Sequence, residues 1–219
     1  MTANSQAMCS SFKKDLLNGV HAFSAAYRTI DSFKAALHLA NQGLDATTTA
    51  YGTNTATSTA STIAGTVLTI GGTVAGVFVV GMKLNGAGIT ANTIITADTG
   101  GAGGAGTYTV NNSQSISSQA INSTGELTGT NYTAGGVVVT NTNIPTVTGT
   151  TAFWTPAANF VWTTLTSNGT FDSVLLYNDT ASGKNSVSVH TFGAQNVTAG
   201  TFTLTMPANA ASTALLNLA

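Results

Sequence analysis

Charged side chains almost disappear from this chain after Asp45. Seven of its thirteen charged residues (Lys13, Lys14, Asp15, Arg28, Asp31, Lys34 and Asp45) precede Ala46, and residues 46–219 hold only Lys83, Asp98, Glu126, Asp172, Asp179 and Lys184. Thr, Ala, Gly, Asn, Ser and Val fill the remainder. That vocabulary suits pleated, half-buried strands, because β-branched side chains pack well across a sheet. It leaves few groups able to move protons or hold a metal. The expected fold class is therefore mainly β, and the expected role is structural or adhesive, not enzymatic.

Charged residues make up 6% of the chain, against about 25% in ordinary globular domains. Disorder needs low hydrophobicity as well, and here 42% of residues are hydrophobic with a mean hydropathy of +0.23, so a core can form. A length of 219 residues suffices for one good core, or for a domain plus a smaller one. The net charge of -1 supplies no basic field for nucleic acid and no polybasic membrane anchor. A near-neutral surface tends to associate, which fits a protein whose normal state is an assembly. The lone Cys9 excludes an internal disulfide framework. The start, MTANSQAMCSSFKKDLL, lacks a basic region followed by an apolar run, so no secretory signal is expected. Thr66 to Leu84 is cut by Gly71, Gly72, Gly76 and Gly81 and reads as strands and turns, not as a membrane span.

Ser10 to Val20 reads as a short helix, capped by Ser10 or Ser11 and ended by Gly19, with Phe12, Leu16 and Leu17 on one face. So short a helix must dock on something. Asp31 to Ala40 alternates Phe33, Ala35, Leu37 and Leu39 with Lys34, Ala36 and His38, and reads as a strand with one buried face. Further strands are expected over Gly136–Thr140, Asn159–Thr163, Phe171–Tyr177, Ser186–Phe192, Thr201–Met206 and Ala214–Leu218. Phe171–Tyr177 is apolar nearly throughout, as a central strand would be. Thr201–Met206 shows the cleanest alternation, so Leu204→Asp is expected to bury an unpaired charge. Strands at this spacing, with turn residues between them, predict a β-sandwich of jelly-roll or Ig-like type with a short N-terminal helix.

Residues 53–123 have a different texture. They carry almost no charge, the aromatics Phe78 and Tyr108, and a glycine run, GGAGGAG, at 100–106. Strands are expected at Thr66–Ile70, Val77–Leu84, Thr93–Ala97, Thr107–Val110 and Ile116–Ile121, after a flexible connector at Thr53 to Ala60. The block reads as a small β domain set into a loop of a host domain made of residues 1–52 and 124–219.

The host stretches FKKDLLNGVHAF, DSFKAALHLA, TTAYGT rejoining at GELTGTNYTAGGVVV, FDSVLLYNDTASGKNSVSVHTFG and the ending GTFTLTMPANAASTALLNLA resemble a family of small tailed-phage virion structural proteins. In that family the Thr-Ala-Tyr segment runs almost directly into the Gly-Glu segment, which marks 53–123 as an insertion. The block itself, through GTVLTI, VGMKLNGAGITANTIITA and GAGTYTVNNSQSISS, is similar to modules of phage fibre and surface proteins. The resemblance implies a capsid decoration, or cement, protein on the outer surface of the phage head. Its implied partners are the major capsid protein and itself, as a homotrimer. A tail-fibre or receptor-binding adhesin is the alternative. The inserted module would project and meet host surfaces or glycans weakly.

Sequence motifs offer little chemistry. His21, His38 and His190 form no His-x-x-x-His pair, and no Cys-x-x-Cys exists. No Gly-x-Ser-x-Gly elbow is present. The glycine run is followed by Thr-Tyr-Thr-Val, a strand and not the helix a phosphate loop requires, so it reads as a mobile hairpin tip. No catalytic residue, metal ligand or cofactor is expected. Two surface features remain. Phe12, Lys13, Lys14, Asp15 and Leu16 are a candidate docking arm, because charge concentrates there. Trp154 and Trp162 are candidate aromatic interface residues, with core packing and glycan stacking as the other uses of such rings.

Overall fold

Alternating apolar residues in a nearly uncharged chain become strands. In the computed structural model, which describes residues 3–26, 28–40, 42–52 and 55–218, 48% of the protein is strand and 4% helix. In chain order the elements are β1 (Ala7–Met8), helix α1 (Ser10–Leu17), β2 (Phe33–Leu39), β3 (Thr55–Ile70), β4 (Val74–Ala75), β5 (Leu84–Asn85), β6 (Ile95–Asp98), β7 (Gly106–Thr124), β8 (Gly129–Thr130) and β9 (Val137–Val138). They continue with β10 (Thr146–Thr148), β11 (Thr151–Trp154), β12 (Phe160–Ser167), β13 (Phe171–Asn178), β14 (Ser186–Gln195), β15 (Gly200–Leu204) and β16 (Leu216–Leu218). Among the described residues no helix is long and apolar enough to cross a membrane.

One layer of a sandwich is the antiparallel sheet β1-β14-β13-β2-β9. The other comprises two three-stranded sheets, β10-β11-β16 and β15-β12-β8. Aromatic rings join the layers. Phe171 and Phe192 of the large sheet meet Phe202 of β15 at 5.0 and 5.1 Å, and Phe33 of β2 lies 6.2 Å from Trp154 of β11. Such tilted and edge-on contacts suit aromatic quadrupoles. The central strand is β13, as its apolar run implies: Phe171, Val174, Leu175 and Leu176 are fully buried.

Strands between residues 55 and 124 pair with one another, in the order β4-β3-β7-β5 with β6 also on β7. Their spine is the long antiparallel ladder of β3 with β7, which opens with Thr55 opposite Thr124, so the chain enters and leaves this sheet at one place.

Several expectations need correction. Residues 55–60 are the start of β3, not a connector, because Thr and Ser on a ladder are as compatible with a strand as with a coil; residues 53 and 54 lie outside the described residues. Val77–Leu84 is not a strand. Gly76 and Gly81 take φ of +75° and +95° there and break the extended path, leaving only β5. Thr107–Val110 and Ile116–Ile121 are parts of one strand, β7. Helix α1 is preceded by Cys9, which makes no side-chain cap, while Gly19 ends it: its N–H reaches Leu16 and the Val20 N–H reaches Asp15, closing the last turn. Phe202 and Leu204 on β15 are only half-buried, because β15 is an edge strand, so Leu204→Asp costs less than the alternation implies.

A buried carboxylate ties the two host segments together. Glu126 accepts hydrogen bonds from the hydroxyls of Tyr51 and Tyr132 and from the N–H of Gly135. Tyr51 precedes the 55–124 sheet and Glu126 follows it, so the bond spans the point of entry. Tyr51 also stacks on Tyr177 of β13 at 4.5 Å. Gly136 sits against β2 with φ +77°, and a Cβ there would fall 1.9 Å from the Ala35 carbonyl oxygen. The GELTGTNYTAGG stretch is thus a structural clamp.

Candidate functional site

The small sheet β10-β11-β16 has one apolar face, and the sandwich covers only part of it. Its register places Trp154 beside Leu216 in one cross-strand pair, and Val147, Ala152 and Leu218 in a row two residues away on the same face. Trp154 and Leu216 are buried, whereas Val147 is 64% and Leu218 36% exposed. The face therefore runs from the core out into solvent. Where it leaves the core, a pocket of about 140 Å³ opens, lined by Phe12, Leu16, Phe23, Pro145, Ala152, Phe153, Trp154, Leu216 and Leu218. None of these residues is charged or carries a polar side chain other than the Trp154 indole, whose Nε1–H donates to the Asn143 carbonyl at 3.0 Å.

Helix α1 forms one wall. Phe12 and Leu16 stand four residues apart on its inner face, as helical geometry requires. Phe12 is wedged against His21 and Phe23 at 5.0 and 6.0 Å. Asp15, one turn along, is buried as well and accepts a hydrogen bond from Asn185 Nδ2 at 2.8 Å. Its carboxylate lies 3.8 Å from His21 Nε2, and burial holds the His21 imidazole below its ordinary range. Of the expected docking arm, Phe12 and Asp15 seat α1 on the sandwich, Leu16 lines the pocket, and Lys13 and Lys14 face outward together with Leu17. Leu17 is 92% exposed, the barest large apolar side chain among the described residues.

The two tryptophans separate. Trp154 belongs to this pocket, but as a floor and not as a platform. Trp162 lies in the other small sheet, packed on Phe202 at 5.7 Å, and its buried Nε1–H has no hydrogen-bond partner among the described residues. Both rings are about 3% exposed, so neither forms a surface for stacking a ligand. The structure brings together Phe12, Leu16 and Trp154 from the expected site residues and adds Phe23, Phe153, Leu216 and the bare row. Val147 and Ala152 were missed because three- and four-residue strands of Thr, Ala and Val produce no readable period.

Elsewhere several ionisable groups are engaged within the fold, whereas the buried Asn141 amide has no hydrogen-bond partner among the described residues. Asp98 accepts N–H bonds from Gly100, Gly101, Ala102 and Gly103 at 2.8 to 3.2 Å. Burial opposes its charge, yet the four donors hold the carboxyl below its ordinary value. The glycine run thus cradles an anion of its own chain and is closed on itself, not left as a loose tip. Glu126 is pushed up by burial and pulled back by its three donors. His38 and His190 are pushed down to about 4 by burial. Among the described residues no three His, Cys, Asp or Glu side chains are placed to hold a metal ion.

This chain matches no protein-family model, no curated protein and no solved structure.

Proposed function

We propose that this protein is a structural component of a tailed-phage virion, a decoration protein that binds the major capsid protein on the outer head lattice as a homotrimer. The observation carrying this reading is the uncovered apolar face beside α1. In a charge-poor β-sandwich that face is a continuous apolar surface left in solvent, and such surfaces mark contacts with other molecules. The residues behind the family resemblance support the same reading: Glu126, Tyr132, Gly135 and Gly136 build the clamp that holds the sandwich together across the inserted sheet. Repetition by lattice symmetry then converts shallow contacts into durable attachment. Imaging of assembled particles tests this directly. Hundreds of copies distributed over the head support decoration, and their absence from the head ends it.

The second reading, a tail-fibre or receptor-binding protein, draws on the ladder of β3 and β7. Its outer face displays Thr59, Thr66, Thr69, Asn111, Ser113, Ser115 and Ser117, all exposed hydroxyls and amides without charge. A few dozen copies confined to the tail would favour this role.

A further inference from the structure

Of the six Lys and Arg residues in the chain, one is left over by the fold. Arg28 pairs with Asp31, and Lys34 and Lys184 share Asp179, at 2.7 to 3.0 Å. Lys13 and Lys14 stand in solvent on α1. Lys83 is half-buried, yet its ammonium has no ion-pair or hydrogen-bond partner among the described residues. Drawing a charge out of water without a partner is costly. Its backbone is held on both sides: Lys83 bridges Ile94, its carbonyl accepts the Ser123 hydroxyl at 2.7 Å, and the Leu84 N–H donates to the Thr93 carbonyl at 2.9 Å. The side chain lines a cleft of about 340 Å³ between the inserted sheet and the sandwich. Small-molecule sites span roughly 300–1,000 Å³ and favour such junctions. Asn92 and Ile94 belong to one wall, and Thr128, Thr130, Ala134 and Asn168 to the other. No lining residue is acidic, and Glu126, next to the second wall in sequence, is engaged by Tyr51, Tyr132 and Gly135. The Asn92 amide, the Thr130 hydroxyl and Asn168 Oδ1 have no hydrogen-bond partner among the described residues, while Asn168 Nδ2 donates to Thr128 Oγ1 at 3.3 Å.

We infer that this cleft binds an acidic sugar, a pyranose ring carrying a single carboxylate. Lys83 donates to the carboxylate in a charge-assisted hydrogen bond, the stronger kind. Amides and hydroxyls both donate and accept, as the vicinal hydroxyls of a pyranose require, and Asn92, Thr130 and Asn168 supply them. Ile94 and Ala134 offer apolar surface to the C–H face of the ring. A bare anion uses Lys83 and leaves those polar groups idle, whereas a neutral sugar leaves the ammonium unpaired. One cation also matches one negative charge better than the nearly double charge of a phosphate monoester. The inference rests on neither reading above, because a protein of the head and one of the tail display the cleft equally.

NMR titration of the full chain tests it, with sodium glucuronate, glucose and sodium acetate as probes. The expected result is millimolar binding of glucuronate that shifts the amides of Lys83, Ile94 and Thr130 and weakens with salt. Glucose, which lacks the charge, and acetate, which lacks the ring, should each bind at least about tenfold more weakly. Lys83→Met should cost glucuronate at least about tenfold in affinity and Lys83→Arg most of that less, while Lys13→Met on α1 changes nothing. Thr130→Val, at an exposed position, should cost about threefold and carries the test if Lys83→Met does not fold, which thermal melting decides. Glucose binding as tight as glucuronate overturns the inference, as does full affinity in a folded Lys83→Met variant or the lack of any shift with any probe. Acetate binding as tight as glucuronate overturns it too, reducing the cleft to a bare anion site. An acidic peptide that shifts the same amides at lower concentration than glucuronate overturns the sugar and gives the cleft to a protein partner. None of these outcomes alters the copy count that decides between head and tail.

Discussion

The sandwich and the inserted sheet are made from the same charge-poor vocabulary, yet they are held together differently. The sandwich joins strands distant in sequence. β2 pairs with β13, β1 with β14 and β11 with β16, and aromatic rings from Phe12, Phe23, Phe33, Trp154, Trp162, Phe171 and Phe202 fill the space between. The inserted sheet relies on one ladder, β3 with β7, whose strands belong to a single excursion of the chain. Its buried aromatics are Phe78 and Tyr108, with aliphatics such as Ile63, Leu68, Ile95 and Ile121 around them. The Tyr108 hydroxyl, pushed up to about 12 chiefly by burial, donates to the Gly104 carbonyl and pins the glycine loop. The ladder of β3 with β7 joins residues 36 to 69 positions apart, as far as the 62 to 66 of β11 with β16, so the difference between the regions lies in the aromatic packing between layers and not in chain closure. The comparison therefore predicts two units that fail separately.

The largest expected effect is Leu175→Asp. Leu175 is fully buried on the central strand, and an unpaired charge there costs more than about 4 kcal/mol, enough to abolish the sandwich. Leu68→Asp, the equivalent insult on β3, should strip hydrogen-exchange protection from residues 55–124 while the sandwich amides stay protected. A common collapse of both regions in the Leu68 variant breaks the comparison.

Acid separates the regions next. All three histidines lie in the sandwich, and burial lowers each, His38 and His190 to about 4. A histidine that resists protonation when folded, but accepts a proton near pH 6.5 when unfolded, stabilises fully above that pH and progressively less as pH falls toward 4. The combined loss is on the order of a few kcal/mol, partly offset by Glu126, whose raised carboxyl works in the opposite direction. Asp98, depressed below its ordinary 3.8, weakens the inserted sheet only under more acidic conditions. Exchange-protection profiles between pH 7 and pH 4 should show the sandwich loosening first; simultaneous loosening contradicts the assignment.

Tyr132→Phe probes the clamp. The hydroxyl donates to Glu126 Oε1 at 2.7 Å and accepts the Leu37 N–H at 3.0 Å. Removing it leaves two buried groups each short of a partner, a cost of about 1–3 kcal/mol that should lower the sandwich transition and not that of the inserted sheet. The smallest effect is expected from removing residues 53–123 and joining Gly52 to Thr124. Thr55 stands opposite Thr124 and Tyr51 reaches Glu126 across the junction, so only the contacts of Gly81 with Thr128, Leu39 and Gly169 are lost and the sandwich transition should fall only slightly. An insoluble or unfolded product would sink the idea of separable units.

Legibility followed the length and regularity of the pattern. β13 and β12 were readable because Phe171–Tyr177 is apolar apart from Asp172 and Ser173, and Phe160, Trp162 alternate with Val161, Thr163 in the buried positions observed. Val77–Leu84 misled because its apolar content suits a strand while its glycines do not. Helix α1 was readable from Phe12, Leu16 and Gly19, but its role was not: burial of Asp15 depends on Asn185, 170 positions away. The site was half legible. Phe12, Leu16 and Trp154 stood out singly, and nothing in their spacing said they would meet.

Composition and periodicity by themselves determined that this chain builds antiparallel sheets with little ionic chemistry, since strand preference and the lack of charge are properties of each residue and its near neighbours. Only the tertiary structure decided which apolar side chains would be covered. Trp154 and Val147 are equally hydrophobic in the sequence, yet the packing of α1 and Phe23 against β11 shields the first and stops short of the second. Coverage depends on where distant elements come to rest, and that is what leaves one sheet face partly core and partly exposed.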